Sequence, residues 1–86
     1  MFVNVNKGGK VADIKVFTSS GWGPCTATKS WLKKNGHEFT EYNISENADY
    51  AEDLVRMGFR VTPVTVIGTD MIAGFAPGKL EKALSK

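Results

Sequence analysis

"VTPVTVIGTDMIAG", Val61 to Gly74, is the stretch on which the fold turns. Val61 to Gly68 is rich in β-branched residues and reads as a strand with a proline near its start, where a residue with no N–H to donate is tolerated. Gly68-Thr69-Asp70 is a tight turn, and the chain returns antiparallel through Gly74.

Upstream of this hairpin, strands and helices alternate. Ser45 to Gly58, "SENADYAEDLVRMG", reads as a helix: Ser45 or Asn47 caps it, acidic residues crowd its first turns and Gly58 ends it. Ala51, Leu54, Val55 and Gly58 are its predicted buried stripe. Glu38 to Ile44, "EFTEYNI", alternates Phe39, Glu41 and Asn43 with Thr40, Tyr42 and Ile44, as a strand does. Before it, helical spacing starts at Pro24 or Cys25 and runs to Asn35, with Pro24 suited to the first helical position and Asn35-Gly36 a good stop. Cys25, Thr28 and Leu32 fall on one inward face. Val11 to Thr18, "VADIKVFT", is a strand that "SSGWGP" breaks. Downstream, Pro77 to Ser85 is a short helix with Leu80 and Leu84 on one side.

Strand-helix-strand predicts a parallel pair with a right-handed crossover, and the hairpin adds an antiparallel pair. The prediction is an α/β domain with a four-stranded mixed sheet flanked by three helices on both faces, in the order β-α-β-α-β-β-α. This is the thioredoxin fold. It occupies residues 11–86, and residues 1–10 are an N-terminal extension, either a short edge strand turning at Gly8-Gly9 or disordered.

The 86 residues suit one small domain, and 42% hydrophobic residues suit a packed one. Eleven basic against 9 acidic residues give a net charge of +2, too small to point to nucleic acid. No apolar run approaches the ~20 residues of a membrane span, and the start lacks an apolar core of signal-peptide length. A cytoplasmic, reducing compartment fits the single cysteine. No cofactor and no metal site are expected; His37 has no partner at metal spacing. The acidic set Glu46, Asp49, Glu52 and Asp53 reads as a solvated helix face, and Trp31 and Tyr50 read as packing residues.

The chemistry concentrates in "SGWGPCTATKSW", Ser20 to Trp31. Unpaired amides and the helix dipole favour a thiolate at a loop-to-helix junction, so the attacking sulfur of a C-x-x-C site is the first one. The second lies one turn in, more buried, and resolves the mixed disulfide. Cys25 follows Pro24 inside the helix and takes the second position; Trp22 stands at the first. The plain alternative makes Cys25 a small core residue. Thr62-Pro63 is the other feature. In this order of elements the proline faces the helix junction, and a cis peptide there would direct backbone groups at an extended substrate.

Three local patterns carry a resemblance to the glutaredoxin-like redoxins, above all the NrdH-redoxin group. Ala27-Thr28-Lys29 resembles the end of their C-x-x-C-x-A-T-K motif. Gly58-Phe59-Arg60 leading into Val61 to Val64 is similar to their approach to the cis-proline, and Ala73 to Pro77, "AGFAP", to their S-G-F-R-P segment. Pro63 lies 41 residues after Trp22 and 38 after Cys25, which by the resemblance places Trp22 at the first cysteine and Cys25 at the second. Reading Cys25-Thr26-Ala27-Thr28 as a monothiol site shifts the helix by a turn.

The resemblance implies a small thiol-disulfide oxidoreductase, a donor to ribonucleotide reductase, with Cys25 as resolving residue and Gly23, Pro24, Thr62, Pro63, Gly74 and Phe75 binding a protein disulfide substrate. It also implies reduction by a thioredoxin reductase-like donor. The glutaredoxin G-G-x-D signature is absent after the last strand, so glutathione is not expected. Ala73 and Ala76 replace the family's serine and arginine, which weakens reductase recognition. With Trp22 in place of the attacking cysteine, dithiol activity is expected to be lost. The competing readings are a non-catalytic peptide-binding module gripping with Trp22, Thr62 and Pro63, and a monothiol redoxin using Cys25. A monomer is expected.

Overall fold

Among the described residues the first strand, β1 (Ile14–Thr18), lies inside the sheet with a neighbour on each side, and its β-branched and aromatic residues are buried. The computed structural model describes residues 13–85. After β1 come α1 (Gly23–Lys34), β2 (Thr40–Asn43), α2 (Ala48–Arg56), β3 (Val64–Ile67), β4 (Asp70–Ala73) and α3 (Pro77–Leu84). The four strands form one sheet in the order β2-β1-β3-β4. β1 and β2 are parallel, with Val16 opposite Glu41. β3 runs antiparallel to both β1 and β4, with Thr65 opposite Val16 on one side and Ile72 on the other. This is the thioredoxin-type mixed sheet with three helices. The expected extension, residues 1–10, lies outside the described residues.

Alternation along the central strands divides the interior in two. On one face Ile14, Val16, Ile67 and Ile72 pack with Leu32 of α1 and Leu80 of α3. On the other, Phe17 and Val64 pack with Leu54 of α2. Phe17 stacks on Tyr42 at 5.1 Å between ring centroids, and Tyr42 meets Tyr50 edge-on at 5.0 Å. Helices therefore cover both faces.

Two helices end in the same way. Gly36 has φ +78° and Gly58 has φ +93°. Beyond α1, the Gly36 N–H donates to the Lys33 carbonyl and the His37 N–H to that of Leu32. Beyond α2, Gly58 donates to Val55 and Phe59 to Leu54. These are Schellman closures, which use a left-handed residue to satisfy the last carbonyls of a helix. At its start, α2 is capped by Asn47, whose side chain accepts from the Asp49 amide at 2.9 Å.

The boundaries differ from expectation in several places. β1 begins at Ile14; Val11 and Ala12 lie outside the described residues. α1 starts at Gly23, which puts Pro24 second, and it ends at Lys34 with Asn35 as its cap. β2 keeps only Thr40–Asn43, because the chain turns once the partner strand ends at Thr18: Ile44 donates to the Thr18 carbonyl and Glu46 turns back to that of Asn43. Pro63 stays outside β3, which starts at Val64. The stripe of α2 is also rotated. Val55 is 46% exposed and Gly58 lies past the helix. Tyr50 and Met57, four before and three after Leu54, take the inward side, and the Tyr42–Tyr50 contact fixes that rotation.

Candidate functional site

The loop from Ser19 to Trp22 carries the chain from β1 into α1. It is held from both flanks. On one side Ser20 donates its amide to Ser45 Oγ at 3.0 Å, and Asn43 Nδ2 donates to Ser20 Oγ at 3.1 Å. On the other, Ser19 Oγ and Thr62 Oγ1 share a hydrogen bond of 2.6 Å, and Trp22 Nε1 donates to the Thr62 carbonyl at 3.0 Å. One loop thus grips both the side chain and the main chain of Thr62.

Trp22 is the N-cap of α1 and offers no side-chain cap; its carbonyl instead accepts from the amides of Cys25 (3.1 Å) and Thr26 (3.3 Å). Pro24 stands where a missing N–H costs little. Its carbonyl accepts from Thr28 Oγ1 at 3.0 Å. Cys25, the third helical residue, is a free thiol 2% exposed. A disulfide substrate has no path to that sulfur in this conformation, which counts against the monothiol reading.

The Thr62–Pro63 peptide is cis. Pro63 is buried, and its carbonyl accepts from the Gly74 amide at 2.8 Å, so the loop after β4 closes beside it. The apolar side chains of this neighbourhood face water: Trp22 is 52% exposed, Val61 54% and Phe75 41%. Of the expected site residues, Trp22 and Thr62 touch directly and Pro63 and Gly74 are hydrogen-bonded. Phe75 follows Gly74, and Cys25 joins the group through its backbone. Gly23 is the exposed first residue of α1.

Sequence reasoning missed Ser19, Asn43 and Ser45, whose roles depend on which loops the sheet brings together. It also missed Glu41. That carboxylate accepts from Thr18 Oγ1 at 2.6 Å and from Lys29 Nζ at 2.9 Å, joining β2, β1 and α1 directly below the loop. The Thr18 hydroxyl first, and then Lys29, hold the Glu41 carboxyl below its usual range; burial opposes them. His37 lies at the far end of α1, stacked on Trp31 at 6.4 Å. Among the described residues no three His, Cys, Asp or Glu side chains are grouped to hold a metal ion, and no helix is long and apolar enough to cross a membrane.

Residues 14–72 match the glutaredoxin family model. The chain is 32% identical over 69 residues to the glutaredoxin-like protein NrdH of Lactococcus lactis subsp. cremoris, which covers 80% of this chain and 96% of that one. The structure of NrdH-redoxin from Escherichia coli superimposes with a TM-score of 0.76 at 30% identity, covering 81% of this chain and 92% of that one. Glutaredoxin from Brucella melitensis gives 0.67 at 28% identity, covering 88% and 85%.

Proposed function

The chain belongs to the glutaredoxin family of thiol-disulfide oxidoreductases, and on that premise we propose that it is a redoxin of the NrdH kind whose dithiol chemistry is switched off at Trp22. One observation carries this reading: Trp22 is the N-cap of α1, and the chain's single thiol lies three residues further in, buried inside the first turn of the helix. Disulfide reduction by this fold needs an attacking thiolate at the junction and a second thiol to release the product. The junction here holds an indole.

The substrate class is a protein disulfide, of the sort a ribonucleotide reductase presents, with a thioredoxin reductase-like donor in preference to glutathione. The segment after β4 lacks G-G-x-D, which supports the second point. Ala73 and Ala76, where the family has serine and arginine, weaken the link to the reductase.

The test is insulin disulfide reduction with dithiothreitol as donor. The present chain should leave the rate at that of dithiothreitol alone, and Trp22→Cys should raise it at least about tenfold. In the restored cycle two thiols give two electrons and two protons to the substrate disulfide and close their own; dithiothreitol reopens it. A folded Trp22→Cys chain with no gain sinks this reading.

A second reading, a non-catalytic module that binds extended peptide, is favoured by the exposed apolar set Trp22, Val61 and Phe75 around Thr62–Pro63. It needs no sulfur chemistry and accounts for a site that keeps its rim without its nucleophile.

A further inference from the structure

We infer that the Trp22 indole is an intramolecular stopper: it occupies the Thr62 carbonyl that an extended polypeptide backbone must reach, and peptide binds only when the ring swings away. The inference rests on the peptide-binding reading of this site and specifies how the site is controlled. Residues whose main chain lies outside a sheet's own ladder can recognise an extended chain by backbone hydrogen bonds of the strand-addition kind. Thr62 is such a residue, next but one to β3, and its carbonyl is already taken by Nε1–H at 3.0 Å. Ser19 holds the Thr62 side chain at 2.6 Å, and the bulk of the indole against the carbonyl keeps a second donor from the oxygen's other lone pair.

The stopper is built to move. The Trp22 backbone is fixed, because its carbonyl closes the first turn of α1 on Cys25 and Thr26. The residue is half exposed and its ring is held by a hydrogen bond to the Thr62 carbonyl, so rotation about the side-chain torsions releases it without disturbing the main chain. The swung ring leaves an acceptor next in the chain to exposed Val61, where Gly74 bonds Pro63 and the following residue, Phe75, is exposed. The occupant this surface fits is an extended, apolar segment of a partner protein, uncharged or acidic. The segments around it, Ser19–Cys25, Arg60–Pro63 and Ala73–Ala76, carry one charged residue, Arg60, and no acid.

Apparent affinity falls with the fraction of molecules in which the acceptor is open. Removing one such hydrogen bond while keeping an aromatic ring should tighten binding about threefold to tenfold. The probe is insulin B chain with its cysteines carboxyamidomethylated, which excludes disulfide exchange. Titration calorimetry compares the present chain with Trp22→Phe, and the indole N–H signal of Trp22 is followed by 15N NMR during titration of the present chain. The inference expects tighter binding by Trp22→Phe, and a Trp22 signal that moves to the position of an unbonded indole as peptide saturates. Equal or weaker binding by Trp22→Phe overturns it, as would a Trp22 signal that stays put at saturation, or no binding by either chain. The insulin-reduction result is independent. A silent Trp22→Cys with a tightened Trp22→Phe removes the redox reading and leaves the stopper, and the reverse outcome removes only the stopper.

Discussion

At residue 25 the chemistry is decided by position within a helix turn. A cysteine at the N-cap faces solvent and unpaired amides; three residues on, it faces the sheet. Cys25 has the second environment, beside Thr28 and Leu32, all buried. Its sulfur is reached through opening of the structure, so its modification should follow protein stability. Native Cys25 should react with Ellman's reagent at least about a hundredfold more slowly than the urea-unfolded chain, as expected where reaction requires local opening. Reaction at the unfolded rate would show that the sulfur is accessible after all and return the monothiol reading to contention.

Among the elements, β3 combines deep burial with a visible defect. Thr65 is wholly buried between Val16 and Ile72, and its hydroxyl has no hydrogen-bond partner among the described residues. A buried hydroxyl without a partner costs about 1–3 kcal/mol, and an apolar group of the same shape removes that cost. Thr65→Val should therefore raise the stability by about 1 kcal/mol, read as a higher urea midpoint at unchanged slope. A lower midpoint would mean that the hydroxyl has a partner after all. The element scale is also where periodicity alone misjudged α2. Val55 and Tyr50 are equally good candidates for contact with the sheet by spacing, and the ring of Tyr42 on β2 selects Tyr50.

At the scale of the whole molecule, Glu41 is a polar tie among β1, β2 and α1, binding Thr18 and Lys29. Its folded pKa is lowered, so its stabilising contribution is complete above the ordinary carboxylate range and is lost as the pH falls through the folded value. Solvent screens this partly exposed pair, which limits the effect to about 1 kcal/mol. Stability from urea unfolding should fall as the pH drops below the ordinary carboxylate range. Glu41→Gln should lower stability at pH 7 and flatten that acid limb; an unchanged limb would assign the loss to other carboxylates.

Element order, the inward face of α1, Asn47 as one of two candidate caps and the Gly36 and Gly58 stops were legible in the sequence, because each depends on residues within a turn or two of one another. The sheet followed from that order through the preference of strands for short and right-handed connections. The position of Cys25 inside α1, with Trp22 at its start, followed from Pro24 and the spacing of Thr28 and Leu32. What joins Trp22 to Thr62, Ser19 to Thr62 and Thr18 to Glu41 was not legible. These partners lie 40, 43 and 23 residues apart. They meet only because the register of β1 against β2 and β3 sets the loops side by side. A side-chain hydrogen bond carries no periodicity that marks it in advance. The sequence determined that an indole stands three residues before the one cysteine, at the start of α1; the tertiary structure decided what that indole holds.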